Sequence, residues 1–242
     1  MAGVAQEEQS KKWQIAIAPY TSELAIYTPA DVFNLAKTYM GTLAIQDYIR
    51  RASLCELHRV MKAMHSVCSE DLLIHIHAHH AFIQIVHTCP RSLFDIVQLI
   101  EHPLQLACNV YGCRVIVAIV QFYLGLDSFL LPIMQNIIQV SANAYGKHVV
   151  RAIIEHDTCS SYKQAILCLI QKNPEQFIMD SRMAVLNTAL VYATPKQRRE
   201  IATCVLHTDG FASIMQSRKQ MHVYCREQIY SILELMPPTD PL

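Results

Sequence analysis

The sequence is poor in glycine and in charged residues, which are abundant in linkers, disordered chains and extended loops. Only 6 of its 242 residues are glycine and 17% are charged, while 52% are hydrophobic. This composition excludes an intrinsically disordered protein. With so few glycines and no long Ser/Gly stretch, no linker divides the chain, and we expect one folded domain with a large core.

We expect no secretory signal, and the chain has no unbroken hydrophobic run. Residues 1–12 are polar and include the acidic Glu7 and Glu8, which is not typical of a signal peptide. The most apolar stretch, 115–131, contains Gln121, Gly125 and Asp127, so it is too broken to span a bilayer. We therefore expect a cytoplasmic protein that does not contact membranes.

The chain has no excess of positive or of negative charge either. Lys+Arg and Asp+Glu are both 20, which argues against a nucleic-acid binder that acts mainly through phosphates but leaves base edges and stacking open. The 9 cysteines are odd in number and form no Cys-x-x-Cys motif. They are typical of reduced core thiols in a cytosolic protein, not of a disulfide framework.

What the sequence does contain is a repeated segment. The stretch 109–120 begins Asn-x-Tyr-Gly and continues with two apolar pairs four residues apart, and 143–154 repeats this pattern 34 residues later. Apolar residues at i, i+1, i+4 and i+5 form one stripe on a helix, and Tyr-Gly supplies the turn before it. A period of this length is typical of helical repeat proteins.

Weaker copies of the segment extend the repeat in both directions. The steps between the first apolar residues of successive copies are 38, 33, 34 and 36 residues. These first apolar residues are Ala44, Phe82, Val115, Val149 and Val185. A sixth copy at 214–226 loses one apolar row, as a terminal repeat without a further neighbour should.

Each copy predicts a unit of three helices, and we find no period-2 alternation that would indicate strands. A disordered tail, 1–12, and a partial cap, 13–28, precede the units. The predicted units are 29–68, 69–102, 103–138, 139–173, 174–208 and 209–236. The predicted helices are 29–38, 42–52, 54–66, 70–78, 80–88, 92–101, 103–110, 113–123, 128–139, 139–144, 147–156, 160–172, 174–181, 183–193 and 195–207.

These features resemble the Pumilio (PUF) family of RNA-binding repeats. Tyr-Gly-Cys-Arg-Val-Ile at 111–116 is the best match, and Ala-Ile-Gln at 44–46 and Phe-Ile-Gln at 82–84 echo the family's apolar-Ile-Gln signature. The resemblance covers roughly residues 29–236. It implies an all-α, right-handed α-solenoid of five to six three-helix repeats with partial capping repeats, shorter than the eight repeats of the family.

The resemblance also implies a function. Family members bind single-stranded RNA in mRNA 3′ untranslated regions and act in post-transcriptional and translational regulation, with regulatory proteins on the convex face. In each middle helix, two residues grip a base edge and one stacks between bases. The implied RNA-binding residues are Thr42, Leu43 and Gln46; His80, Ala81 and Gln84; Cys113, Arg114 and Val117; Lys147, His148 and Arg151; Met183, Ala184 and Asn187; and, in the terminal copy, Lys219, Gln220 and Val223.

The chemistry of these sets differs along the chain. A glutamine such as Gln46 offers a donor and an acceptor to a base edge, and Arg114 and His148 are planar groups that can stack. Val117 cannot hydrogen-bond a base, and Met183 offers little polar contact. We expect base readout to be strongest in the first four repeats and weak at the C-terminal end.

Other functions have less support from the sequence. A helical-repeat scaffold for protein–protein interaction, without base recognition, is the alternative that zero net charge and Val117 favour. His75 and His79 could share a helix face, but the sequence offers no His-Glu-x-x-His motif and no third ligand, so we expect no metal. Without nucleophile or phosphate-loop motifs, we expect a monomer that is neither an enzyme nor bound to a cofactor.

Overall fold

The computed structural model describes residues 29–53, 55–57, 70–88, 97, 100–122, 127–156, 160–179, 181–216 and 220–234. Within these residues the regular structure is helical throughout, which confirms the predicted all-α fold. The helices are α1 (Pro29–Ala36), α2 (Tyr39–Arg51), α3 (Glu70–Leu73), α4 (His79–Thr88), α5 (Pro103–Ala107), α6 (Gly112–Phe122), α7 (Asp127–Gln135), α8 (Ile137–Ala142), α9 (Gly146–Glu155), α10 (Ser160–Lys172), α11 (Pro174–Phe177), α12 (Met183–Tyr192), α13 (Pro195–Leu206), α14 (Phe211–Gln216) and α15 (Gln220–Glu234).

The chain divides into two compact units, residues 1–122 and 123–242. In unit 1, α4 packs between α2 and α6, so three middle helices lie side by side. Each is preceded by a short helix that packs onto it, α1 on α2, α3 on α4 and α5 on α6. The main contacts of the described middle helices in unit 1 are thus between consecutive repeats, as in a solenoid.

Unit 2 has the same construction in two layers. Its middle helices are α9, α12 and α15, and α12 packs against both of the others. The second layer consists of α10 and α13, which pack against each other, and α13 also contacts α15. The middle helices carry the positions that the sequence singles out, so they define the candidate site in each unit.

The predicted apolar pairs form the core of both units. In α6, Val115, Ile116, Ile119 and Val120 are fully buried, and the matching pairs at 149–150 and 153–154 in α9 are equally buried. Burying one such side chain stabilises the fold by about 1.5–3 kcal/mol. The stripe that reveals the repeat is therefore also what holds neighbouring middle helices together.

The glycine of each Tyr-Gly turn is required by close backbone approach. A Cβ atom on Gly112 would lie 2.7 Å from the carbonyl oxygen of Leu106, and one on Gly146 would lie 2.7 Å from that of Val140. Both carbonyls belong to the short helix that precedes the middle helix. Only glycine lets this short helix cross so near the start of the next one.

Four predicted helices end clearly earlier than the sequence pattern indicates: those predicted at 70–78, 103–110, 128–139 and 174–181 end at Leu73, Ala107, Gln135 and Phe177. Helix α3 ends at Leu73 instead of 78, because the His75 ring accepts hydrogen bonds from the backbone of His77 and Ala78 at 3.2 and 3.4 Å and forms a turn. The predicted helix 128–139 is broken at Asn136, whose side chain donates to the Pro132 carbonyl at 2.9 Å. Side-chain to backbone bonds of this kind compete with the helix ladder.

Some predictions concern residues outside the described parts of the chain. These are the tail 1–12, the partial cap 13–28, and most of the predicted helices 54–66 and 92–101. Within the described residues, none of the helices has the length and hydropathy needed to span a bilayer.

Candidate functional site

In each of the first four repeats, a side chain caps the start of the middle helix. In the third repeat, Asn109 Oδ1 accepts hydrogen bonds from the backbone N–H groups of Tyr111 and Gly112 at 2.8 and 3.0 Å. Asn143 makes the same pair of bonds at 2.8 and 3.0 Å in the fourth repeat. The four cap residues are Thr38, His75, Asn109 and Asn143. Each supplies an acceptor for otherwise unpaired N–H groups at a helix start.

The cap residues fix the register of the repeats. In each repeat, the backbone N–H four residues after the cap donates to the cap carbonyl, at 2.9 Å for Thr42 and 3.1 Å for Cys113. The fifth repeat keeps this bond, from Met183 to the carbonyl of Met179 at 3.0 Å. We call the residues four, five and eight after the cap the first, second and third positions.

Of the six predicted sets, four of the first five fall on these positions. The exception is the second repeat, where they are occupied by His79, His80 and Ile83 instead of the predicted His80, Ala81 and Gln84. The first positions are Thr42, His79, Cys113, Lys147 and Met183. The second positions are Leu43, His80, Arg114, His148 and Ala184. The third positions are Gln46, Ile83, Val117, Arg151 and Asn187.

The shift in the second repeat follows from which residues are buried. Ala81, which the sequence pattern places on the outward side, is 0% exposed and packs in the core beside Phe82. His87, which the pattern places in the apolar stripe, is exposed. Gln84 is half-buried, and its side chain donates to Thr88 Oγ1 at 2.9 Å. The sequence pattern takes Phe82 as the first apolar residue of this repeat, whereas Ala81 occupies the buried place equivalent to Ala44 in the first repeat.

Most first positions are buried, which differs from the prediction that they point away from the core. Thr42, His79, Cys113 and Met183 are all buried. The Thr42 hydroxyl donates to the His77 carbonyl at 3.0 Å, and Cys113 Sγ donates to the Val110 carbonyl at 3.6 Å. For Thr42, the hydrogen-bond acceptor belongs to the next repeat. Lys147 alone is half-buried.

Among the buried first-position residues, His79 has a strongly shifted pKa. Its Nδ1 lies 2.9 Å from the His75 carbonyl and donates to it, which leaves Nε2 without a proton. The pKa of His79 is lowered from 6.5 to about 4, mainly by burial; the His75 hydrogen bond opposes this, and the nearby charged groups, including Arg114, add to it. The imidazole is therefore neutral at pH 7.

The second positions place exposed planar groups on adjacent helices. His80 on α4 and Arg114 on α6 are both exposed. The His80 ring packs on the His79 ring with centroids 3.9 Å apart, and His79 lies 5.1 Å from Tyr111. Burial lowers the pKa of His80, and the positive charge of Arg114 adds to this. A neutral aromatic ring and a guanidinium thus occupy equivalent places in neighbouring repeats.

The third positions are mixed in chemistry. Gln46 is half-buried and is followed, in the next two repeats, by the apolar side chains of Ile83 and Val117. In unit 2 the third position is Arg151, whose Nε donates to Thr188 Oγ1 at 2.9 Å. In the fifth repeat Asn187 is buried. Within unit 1, Gln46 is therefore the third position with a hydrogen-bonding side chain.

Unit 2 has a groove of about 730 Å³ along its three middle helices. Arg151 lies at one side, with its Nη2 3.6 Å from Glu155 Oε1. The groove is lined by Arg151, Glu155, Ala184, Asn187, Thr188, Val191, Tyr192, Val223, Tyr224 and Glu227. Glu155 and Glu227 are not among the residues predicted from the sequence, although each is four residues after a third-position residue and so lies on the same helix face.

Two candidates from the sequence remain, the terminal copy of the repeat and the histidine cluster. In the terminal copy, Val223 lines the groove, while Lys219 and the side chain of Gln220 lie outside the described residues. The histidine cluster serves the caps through His75, and no group of three or more His, Cys, Asp or Glu residues in the described part of the chain could hold a metal ion.

No family model and no curated protein matches the sequence. Solved structures do match the fold. PUF-8 in complex with PBE-RNA has a TM-score of 0.74 and 16% identity over 84% of this chain and 61% of that one. The Puf3 RNA binding domain bound to a Cox17 RNA 3′ UTR recognition sequence has a TM-score of 0.71 and 17% identity, over 84% and 63%.

The Puf4 RNA binding domain bound to an HO endonuclease RNA 3′ UTR recognition sequence is similar too, with a TM-score of 0.67, 14% identity, and coverage of 86% and 65%. This chain therefore spans a little over three fifths of the length of these structures. At such low sequence identity, the structural similarity establishes the fold alone. It confirms the predicted α-solenoid of Pumilio-like repeats as a fold.

Proposed function

We propose that this protein binds single-stranded RNA through the second positions of its middle helices, with selectivity for sequence. The observation that carries the proposal is the pair of exposed planar groups, His80 and Arg114, at equivalent positions of neighbouring repeats. The solved structures with the same fold are complexes with RNA. The proposed targets are mRNA 3′ untranslated regions, and the proposed role is regulation of translation.

Stacking accounts for how a protein without net positive charge could hold RNA. Each base stacked on an aromatic or guanidinium plane contributes about 1–3 kcal/mol, and stacking does not require an excess of Lys and Arg. His80 is suited to this because its lowered pKa keeps the ring neutral at pH 7. Arg114 adds a charged plane that attracts phosphate as well as bases.

Base selectivity rests on fewer residues. Gln46 offers a donor and an acceptor to a base edge. Ile83 and Val117 can contact a base only by shape. In unit 2, Lys147 is half-buried and His148 is exposed, so the fourth repeat has a cation and a stacking ring for RNA. We assign no base to the fifth repeat, whose set of Met183, Ala184 and Asn187 is the most buried and least polar.

The proposal is tested by selecting RNA ligands from a randomised single-stranded pool at physiological salt. We expect an enriched motif, and we expect Arg114→Ala to weaken binding to it about tenfold, because one stacking contact is lost. Arg199→Ala is the matched control, since Arg199 is an exposed arginine on α13, outside the middle helices. It removes the same charge and should leave affinity unchanged.

Two results would contradict the proposal. Binding without an enriched motif, weakened equally by both arginine variants, would mean nonspecific phosphate contacts. No binding to any RNA in the pool would favour the second candidate, a helical-repeat scaffold for protein partners. That candidate is supported by the groove of unit 2, whose carboxylates do not suit RNA.

A further inference from the structure

The groove of unit 2 carries a negative formal charge. Its charged lining residues are one arginine, Arg151, and two glutamates, Glu155 and Glu227, which gives a net formal charge of −1. Arg151 is already engaged, because its guanidinium contacts Thr188 at 2.9 Å and Glu155 at 3.6 Å. Glu227 is exposed and makes no ion pair with any residue that the structure describes.

The walls of the groove are aromatic and aliphatic. Tyr192 on α12 and Tyr224 on α15 line it and are 46% and 42% exposed, and Val191 is 39% exposed. Exposed large side chains on two adjacent helices form an apolar surface that a ligand can cover. Tyrosine rings also attract cations over their faces, by about 0.5–1 kcal/mol at exposed sites.

We propose that this groove binds an arginine-containing segment of a protein partner. The guanidinium pairs with Glu227, and the tyrosine rings cover its planar group and the methylene stem. Arginine fits better than lysine because its guanidinium is planar, weakly hydrated and can bond a carboxylate through two N–H groups. The volume of about 730 Å³ is within the range of specific ligand sites and suits a few residues of an extended peptide.

RNA is the less suitable occupant of this groove. A phosphodiester would meet two carboxylates and an arginine that is already paired, so its charge would be repelled overall. The lining residues of the groove differ from the residues proposed to contact RNA, which include Lys147 and His148 of unit 2 as well as His80 and Arg114 of unit 1. Its failure therefore leaves the RNA proposal untouched, and the RNA proposal can fail while this inference holds.

The test uses a fluorescein-labelled peptide, Gly-Ser-Arg-Gly-Arg-Ser-Gly, and the full chain at low salt, with fluorescence anisotropy as the readout. A matched peptide with citrulline in place of both arginines keeps the shape but removes the charge. We expect binding of the arginine peptide only. Glu227→Gln should weaken it about tenfold, the usual effect of losing one charge-assisted hydrogen bond.

Glu200→Gln is the matched control variant, because Glu200 is an exposed glutamate on α13, away from the groove lining. It should bind the peptide as the parent does. Tyr224→Ala provides a second variant, with an expected loss of several-fold from the aromatic wall. Circular dichroism of each variant checks that the helices remain folded.

Three outcomes would overturn the inference. One is no binding of the arginine peptide at 1 mM. Another is equal binding of the citrulline peptide, or equal weakening by Glu227→Gln and Glu200→Gln, which would indicate nonspecific charge attraction. The last is a decrease in RNA affinity for Tyr224→Ala together with competition between RNA and the peptide, which would assign the groove to RNA.

Discussion

The middle-helix faces of the two units use equivalent positions for different chemistry. In unit 1 the second positions include His80 and Arg114, both exposed, and the residues four after its third positions include no carboxylate. These residues are Arg50, His87 and Gln121. In unit 2, Arg151 is paired with Glu155, and the face continues to Glu227 and two tyrosines. Unit 1 thus presents stacking groups and positive charge, while unit 2 presents an acidic, aromatic groove.

The difference shows that the repeat fixes where a side chain is placed and not what it binds. Both units use the same asparagine cap, the same glycine and the same buried apolar pairs. These shared features set the backbone register. Function then depends on the few side chains that the register leaves exposed, as is general for folds that host several functions.

The largest expected effect is on RNA binding. The double variant His80→Ala/Arg114→Ala should weaken binding to the selected RNA about 100-fold, because two stacking contacts are lost. Lys147→Ala/His148→Ala in unit 2 should weaken it only about tenfold, since one stacking group is lost there. Direct titration of both variants measures the comparison. Equal losses in the two units would show that their faces act alike.

The second expected effect is a loss of stability at acid pH. It originates in unit 1, which contains His79. His79 has a pKa of about 4 when folded, below its ordinary value of 6.5. Between these values the unfolded chain binds more protons than the folded one, so stability falls as the pH is lowered through this window. Above pH 6.5 the imidazole is neutral in both states, and its contribution no longer varies.

We expect His79 to account for a loss of roughly 2 kcal/mol between pH 7.5 and 4.5. The measurement is chemical denaturation of the parent and of His79→Asn at several pH values. Asparagine can still donate to the His75 carbonyl but does not titrate. The variant should lose this part of the pH dependence, and parallel profiles for the two proteins would contradict the assignment to His79.

The smallest expected effect concerns what the two units share. Asn109→Ala in unit 1 and Asn143→Ala in unit 2 each remove one helix cap that accepts two backbone N–H groups. We expect each to lower the free energy of unfolding by about 1 kcal/mol. Denaturation with urea measures both. Asn→Asp at the same sites keeps the acceptor and should cost less, and a loss confined to one unit would show that the caps are not equivalent.

Part of the site could be predicted because its signal is local. The apolar pairs of α6 and α9 and the Tyr-Gly turns recur at 34 residues, so the register of the third and fourth repeats was correct. The second repeat was misaligned by one residue, because its first core position is Ala81 and not Phe82 and because His75 replaces asparagine as the cap. The RNA-contacting roles of all these residues remain predictions.

The sequence by itself determined the helical repeat, its period and most of its core, because burial against a neighbouring repeat requires apolar residues at fixed helical spacing. Only the tertiary structure decided which candidates are free to meet a ligand. Thr42 and Cys113 are taken up by contacts within the protein, and Glu155 neutralises Arg151. These contacts are made with neighbouring helices and with side chains one turn away. A pattern of residue types along one helix gives no information about them.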